Sequence, residues 1–318
     1  MRIINDNRPS FYYINDDKIS GVNVDKLGFY FKDFISPFPK NYDGIITVSR
    51  TVFSVGDWGV ISGLPYALKQ LHPNCKIAIP TPEWNRHVFN FWFSSGGNQS
   101  VWNKPWENSE IIFKNNPYID IRFNVGEMKG MIFHDHHRVY TDNEEEPIVE
   151  QLLRFFGADD DQIKSIDSRP QLFFDEEEIK LGDEIIKKYI GEEDFGTLML
   201  STANPKYQVP WDEKIDKELI KEIKKYKKLK FFYYSQVPLE QTRYNFIKGI
   251  NIENLNIPLR IQMYIKNKAL INTGYQSGIN DSIGTRNTKI ICATPYSSLK
   301  SNIGRGIKYY NGNNIKCI

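Results

Sequence analysis

The sequence predicts an α/β protein of two lobes, and three observations lead there. The chain has 318 residues, more than one compact core usually holds, since domains run about 100–200 residues. Short runs rich in β-branched and aromatic residues alternate with amphipathic stretches, the pattern of parallel strands joined by crossover helices. That alternation occurs in two series, separated by a polar, charged stretch.

The first series begins with Gly44 to Phe53, which reads as a buried strand, followed by a loop over Ser54 to Gly59. From Val60 to Leu71, Ile61, Leu64, Ala67, Leu68 and Leu71 recur at helical spacing, with Pro65 tolerated near the start. His72-Pro73-Asn74 ends this helix, and Cys75 to Pro80 forms the next strand. Glu110 to Phe113, Tyr118 to Phe123 and Met131 to Phe133 read as further short strands. Pro147 to Phe156 is an amphipathic helix stopped by Gly157. Asp159-Asp160-Asp161 reads as a solvated turn. A charged helix spans Asp175 to Ile190. The boundary is placed near 165–180, giving an N-terminal lobe over 1–172 and a C-terminal lobe over 173–318. The second series then runs strand Thr197 to Ser201, helix Asp212 to Tyr226, strand Lys230 to Tyr234, helix Ile257 to Lys266, strand Ala269 to Asn272, a short helix over 279–285 and strand Lys289 to Ala293.

Composition narrows the function classes. Forty-one basic residues nearly balance 39 acidic ones, for a net charge of +2. This balance gives no general basis for binding a polyanion or an anionic membrane, and the lysine-rich run Lys221 to Lys230 reads as a solvated helix face. Cys75, Cys292 and Cys317 form no C-x-x-C pair, which points to free thiols in a reducing compartment. Met1 to Asp17 lacks the apolar core of a signal peptide, and no apolar run approaches the ~18 residues that span a bilayer. A cytoplasmic protein is expected. The tryptophans Trp84, Trp92, Trp102 and Trp106 suit either a well-filled core or an acceptor-binding surface.

Ligands of open α/β sheets bind at the carboxyl ends of strands, which selects three loops: Ser54 to Gly59, Ser201 to Trp211 and Thr273 to Asp281. In the last, Thr273-Gly274-Tyr275-Gln276-Ser277-Gly278-Ile279 offers tight turns, hydroxyl donors and a helix start whose free amides suit a diphosphate; Arg286 adds a charge if it points inward. A plain strand–turn–helix is the other reading. In the first loop, Gly56 and Gly59 flank Asp57, a carboxylate able to accept the proton of an attacking hydroxyl or to cap the following helix. Lys206 sits beyond a strand end, where a lysine neutralises a leaving diphosphate. Tyr234 ends a strand and is a candidate for lining a nucleobase pocket, and Glu240 is a candidate for the ribose hydroxyls. His134-Asp135-His136-His137 cannot converge on one ion from a strand whose side chains alternate, so no metal site is expected. His134 and Arg138 are instead candidates for acceptor contacts, beside Gly56 and Trp58.

The segment "SVGDWGVISGLPYALKQLHPNCKIAI" resembles the start of the heptosyltransferase-like glycosyltransferases, the ADP-heptose:lipopolysaccharide family, in Gly56-Asp57, Leu64-Pro65, Ala67-Leu68 and His72-Pro73. "LMLSTANPKYQVPW" is similar to that family's donor-lobe strand and lysine loop, and "ALINTGYQSGINDSIGTRNTKIICATPY" to its late strand and Asp-Ser/Thr-Gly loop. The family's acidic residue falls at Gln276 if Ser277-Gly278 is the match; Asn272-Thr273-Gly274 is a second register. Asp281 stands where a histidine is expected in the first. The resemblance implies a GT-B fold, two Rossmann-like lobes with an interlobe cleft. It also implies a metal-independent, inverting sugar transfer with no permanently bound cofactor. The nucleotide-sugar donor is then held by Lys206, Tyr234, Thr273, Gly274, Ser277, Gly278, Ile279 and Asp281. Asp57 acts as base on a glycan or glycolipid acceptor; a nucleic-acid acceptor fits the charge less well. A nucleotide-sugar epimerase and a non-catalytic nucleotide- or sugar-binding relative are the alternatives on the same fold. Sugar, base and oligomeric state are left open.

Overall fold

The structure is a computed structural model. It describes residues 11–15, 18–22, 41–48, 55–86, 104–124, 132–134, 148–200, 213–235, 237–275, 289–293 and 315–317. The chain divides into two compact units, the first reaching Ser168 and the second starting at Arg169.

In the first unit, β1 (Phe11–Asn15) and β2 (Lys18–Val22) pair antiparallel, and β1 also pairs antiparallel with β6 (Ile132–His134). Its second sheet is parallel, in the order β3 (Ile45–Thr47), β4 (Lys76–Pro80), β5 (Ile121–Phe123). Between β3 and β4 the structure departs from the expected loop and single helix. Gly56, Asp57, Trp58 and Gly59 lie within helix α1 (Val55–Val60), and α2 (Leu64–Leu71) follows after a turn. The physical reason is burial. Trp58, Val60 and Ile61 are core residues, and a buried backbone must pair its own polar groups. Pro65 has no N–H to continue an i→i−4 ladder, so the chain turns through Ser62 N to Gly59 O (3.1 Å) and Leu64 N to Ile61 O (3.0 Å). Helix α2 then starts with proline in its first turn.

Glu110 to Phe113, expected as a strand, is the end of helix α3 (Asn108–Phe113). An apolar run of three residues fits either state. Here Ser109, Ile112 and Phe113 are buried at helical spacing, with Asn85 Nδ2 donating to Ser109 Oγ (2.8 Å). Helix α4 (Ile148–Phe155) ends at Gly157, whose φ of 96° favours glycine. The Asp159–Asp161 run is not a simple turn. Asp159 accepts from the amides of Asp161 and Gln162 and, with Gln162, forms a capping box for α5 (Asp160–Ser165).

His72 ties these pieces together. Its Nδ1 accepts from Tyr42 N–H (3.1 Å), so the ring proton sits on Nε2, which donates to Phe156 O (2.7 Å). At the amino end of β4, Asp120 accepts from Ile77 N–H and from Lys69 Nζ, both at 2.7 Å, while Lys69 also donates to Cys75 O (2.7 Å). Partial burial alone would raise the Asp120 pKa, but the Lys69 and Ile77 hydrogen bonds outweigh it and hold the carboxyl below its ordinary value. Burial pushes the Cys75 thiol up to about 11.

The second unit is a six-stranded, fully parallel sheet in the order β12 (Ile315–Cys317), β11 (Lys289–Ala293), β10 (Ile271–Tyr275), β7 (Phe195–Met199), β8 (Lys230–Tyr234), β9 (Lys248–Asn251). Strands β8 and β11 have the bounds the sequence suggested; β9 and β12 were not foreseen. Side chains alternate between two cores. Leu198, Phe231, Tyr233 and Ile271 pack on one face with Leu219 and Ile223 of α7 (Glu213–Ile223). Met199, Phe232 and Tyr234 pack on the other with Ile185 of α6 (Glu176–Tyr189) and Ile261 and Ile265 of α8 (Leu259–Lys268). Asp175 caps α6 in a second capping box with Glu178. The α6–α8 contact is pinned by Arg260, whose Nε and Nη2 meet the two Glu178 oxygens at 2.6 and 2.7 Å. Arg260 also donates to Phe173 O and lies over the Phe174 ring.

Breaking one side of such a buried pair strands the other charge, at a cost of about 3–5 kcal/mol. Glu178→Ala is therefore expected to lower the melting temperature of the second unit by roughly 10 °C, read by thermal scanning; a shift of a degree or less would show that the pair contributes nothing net. Asp120 supplies a pH-dependent test. Its folded pKa is depressed, so its contribution is present above the unfolded value of about 4 and is lost as pH falls through the folded one. Asp120→Asn should flatten the acid limb of denaturant-unfolding curves for the first unit. An unaltered acid limb would place the acid sensitivity elsewhere.

Candidate functional site

Strand order in the second sheet fixes where a ligand should sit. Reading from β9 to β12, the order is third, second, first, fourth, fifth, sixth in sequence, so the winding direction reverses between β7 and β10. In a parallel sheet of this kind the crevice at the carboxyl ends of the two reversing strands is the binding position. Those ends are Met199 and Tyr275.

Thr273 and Gly274 lie inside β10, not in the loop expected to begin at Thr273. The strand continues because it is paired on both sides, Thr273 opposite Leu198 of β7 and Ile291 of β11. Gly274 pairs with Met199 and has φ of 113°. A Cβ there would lie 2.6 Å from the Met199 nitrogen and closer still to its carbonyl oxygen, so this position requires glycine. Thr273 is fully buried on the α7 face, and its hydroxyl has no hydrogen-bond partner among the described residues.

On the other face a closed polar ring underlies the same two strands. Lys266 Nζ bonds to Thr197 Oγ1 (3.3 Å), Thr197 Oγ1 donates to Asn272 Oδ1, and Asn272 Nδ2 returns to Lys266 O (3.0 Å). All three side chains are buried. Asn272 thus spends both ends of its amide inside the fold, which disfavours the register that placed it at the donor. The other register puts Gln276 directly after β10. Tyr234 is also inside this face, with Lys266 Nζ 5.1 Å from its ring centre. Burial, and then the nearby Glu253 carboxylate, push the Tyr234 phenol pKa up, and its hydroxyl has no partner among the described residues. Burial likewise raises Glu253.

In the first unit the backbone of Asp57 lies in α1, which follows β3 in the chain, and Gly56 is buried there. Trp58 fills the core, edge-on to Phe113 of α3, with Nε1 lacking a hydrogen-bond partner among the described residues. His134 is the last residue of β6, opposite Phe11. Glu240 is exposed in a 3-10 turn, Leu239–Gln241, beyond β8. Arg138, Lys206, Trp211, Ser277, Gly278, Ile279, Asp281 and Arg286 lie outside the described residues, as does the short helix expected over 279–285. Among the described residues no group of three or more His, Cys, Asp and Glu is placed to hold a metal ion, and no helix is long and apolar enough to cross a membrane. Sequence reasoning missed the Lys266–Thr197–Asn272 ring, because its members are separated by up to 75 positions and only Asn272 belongs to a motif, where it was read as a ligand contact.

No family model and no curated relative matches the sequence. Solved structures do. The glycosyl transferase family 9 structure from Veillonella parvula matches with a TM-score of 0.52 at 11% identity, over 87% of this chain and 86% of that one. The E. coli ADP-heptose lipopolysaccharide heptosyltransferase II is similar with a TM-score of 0.45 at 11% identity, over 87% and 90%. E. coli heptosyltransferase WaaC with ADP matches with a TM-score of 0.40 at 11% identity, over 86% and 92%. The fold is therefore that of the GT-B glycosyltransferases, with parallel sheets in both units.

Thr273 and Gly274 separate fold from ligand. Gly274→Ala should cost at least about 2 kcal/mol, from the left-handed backbone and the Met199 overlap. Thr273→Val removes a buried hydroxyl that has no partner among the described residues and should leave stability unchanged or raise it by about 1 kcal/mol. Denaturant titration checks both; a clear loss of stability in Thr273→Val would show that its hydroxyl has a partner in the folded chain.

Proposed function

We propose that the chain is a glycosyltransferase, moving a sugar from a nucleotide-sugar donor to a hydroxyl acceptor. The observation that carries the reading is the reversal of strand order at β7 and β10, with a glycine required where the two strands end. It is supported by the likeness of fold to a family 9 glycosyltransferase structure.

In this reading the second unit, continuing to residue 318, holds the donor. The diphosphate lies over the carboxyl ends of β7 and β10, against Thr273 and Gly274 and the following segment, Ser277, Gly278, Ile279 and Asp281. Lys206 faces the leaving phosphate. The first unit, up to about residue 172, holds a glycan or glycolipid acceptor near Gly56, His134 and Arg138, with the buried Trp58 fixing the helix that carries Asp57 instead of touching the acceptor. The acceptor oxygen attacks the anomeric carbon as the bond from that carbon to the phosphate oxygen breaks. The hydroxyl proton passes to the Asp57 carboxylate, and the nucleoside diphosphate leaves with the bonding pair. One displacement inverts the anomeric configuration. Positive charge and amide dipoles at the leaving group supply the stabilisation, so no step calls on a metal or a resident cofactor. The cytoplasm is the compartment that supplies nucleotide sugars for such a reaction.

Incubation with a panel of nucleotide sugars and simple glycan acceptors, followed by mass spectrometry, tests the reading. Glycosylated acceptor and released nucleoside diphosphate are expected. A C2-epimerised sugar without transfer would point instead to an epimerase. Asp57→Asn should retain donor affinity and lose about 10²–10⁴-fold in kcat; near-normal turnover in the folded variant would reject Asp57 as the base.

A further inference from the structure

The connection from β8 to β9 carries a feature that neither the motifs nor the donor reading above uses. Asp216, in the first turns of α7, has a fully buried side chain. It accepts from Tyr244 OH (2.6 Å) and from Arg243 Nη1 (3.1 Å). Tyr244 is buried in the core beneath α7, but the Arg243 side chain is 57% exposed. The carboxylate thus grips one nitrogen of the guanidinium and leaves its outer end in solvent. An arginine held at one edge keeps its remaining N–H groups preorganised for an anion.

Its position matters. Helix α7 follows β7 and precedes β8, so its first turns lie on the carboxyl side of the sheet, beside the strand that ends at the β7–β10 reversal. Three residues follow β8 at intervals of three: Val237, an exposed apolar side chain; Glu240, exposed; and Arg243. The 3-10 turn Leu239–Gln241 lies between the first and the last of them. The segment is tied down at both ends. Ser235 Oγ accepts from Val237 N–H (3.2 Å), Thr242 Oγ1 donates to Leu239 O (2.8 Å), and Tyr244 N–H donates to Thr242 Oγ1 (3.1 Å). The segment thus carries, in chain order, an apolar side chain, a carboxylate and a guanidinium, groups suited to a base, a ribose diol and a phosphate.

We propose that Arg243 is a phosphate contact of the donor site, and that Asp216 is the positioning residue that holds its guanidinium towards the carboxyl edge. This rests on the nucleotide-sugar reading. The ligand is a nucleoside diphosphate, and Arg243 recognises its charge, not its base.

Titration calorimetry on the full chain with ADP, GDP and UDP, and with the neutral nucleosides, tests it. Arg243→Gln should weaken binding of the preferred diphosphate about 10- to 100-fold and leave nucleoside affinity unchanged. Arg243→Lys keeps a cation opposite Asp216 and so preserves the fold; it should bind the diphosphate several-fold more weakly than wild type, because an ammonium cannot satisfy both partners. A thermal melt of each variant runs alongside. Diphosphate affinity unchanged in both variants, or an equal loss for nucleoside and diphosphate, overturns the role of Arg243 while the donor reading stands. Failure of the wild-type chain to bind any of the three diphosphates overturns both.

Discussion

The second unit is organised by the pairing of β7 with β10. These strands are the centre of the six-stranded sheet, and the chain winds outward from them in two directions, through β8 and β9 on one side and β11 and β12 on the other. A slip of one residue in this pair would exchange the faces of both strands. The Lys266–Thr197–Asn272 ring opposes such a slip, because its three hydrogen bonds close only when Asn272 stands opposite Thr197. A buried lysine is expensive to desolvate, and its retention at this place is understandable as register control. The same register sets Gly274 against Met199, where a side chain would collide with backbone. Position of the site and stability of the sheet thus depend on one pairing.

The first unit solves a similar problem with different groups. Among the described residues its parallel sheet has three short strands, and side chains join them to their surroundings. Side chains with two partners do the joining. His72 bridges Tyr42 and Phe156, and Gln70 donates to Asp167 O (3.1 Å) and accepts from Asp167 N–H (3.2 Å). Trp58 and Trp84 add bulk in contact with Phe113 and Phe123. Helix α1, which carries Asp57, is held to α3 by the Trp58 ring. An exposed tryptophan would offer an acceptor surface, whereas a buried one fixes the helix that bears the neighbouring carboxylate.

Much of the fold was legible because apolar periodicity reports burial directly. The β-branched and aromatic runs of β4, β8 and β11 read as strands, and the helices α4, α6 and α7 were recognised within a few residues. The failures share a cause. Lys-Gly-Ile-Asn of β9 is an edge strand with little to bury, so its sequence is polar. The Phe11–Val22 hairpin of β1 and β2 was passed over because polar residues surround it, although Phe11-Tyr12-Tyr13-Ile14 is a strand-like run. Ile111-Ile112-Phe113 is apolar in both readings, and only Asn85 reaching Ser109 from 24 residues away marks it as helix. For the site, the sequence pointed to loops beyond strand ends, and most of those loop residues lie outside the described ones. It did not distinguish Asn272 from Gln276, since that choice depends on a hydrogen bond to Thr197.

The partners of buried polar atoms among the described residues show what the second unit uses for its own folding. Buried polar groups are normally hydrogen-bonded, and exceptions need a reason. Deep in this unit the rule holds: Asn272, Thr197, Asp216, Glu178 and Arg260 all have partners. Among the described residues the Thr273 and Tyr234 hydroxyls have no partner; they stand in β10 and at the end of β8, on either side of β7. They lie on opposite faces, so no single packing defect explains both. A buried hydroxyl without a partner forgoes stability worth about 1–3 kcal/mol, so each would gain from a donor or acceptor beyond the described residues. At the other end of the sheet, Lys230 at the start of β8 donates to Ile190 O (3.1 Å) and the strand entries are closed by backbone bonds. A partner for the Tyr234 and Thr273 hydroxyls would have to reach the carboxyl half of the sheet, the half in which the strand-order reversal also lies.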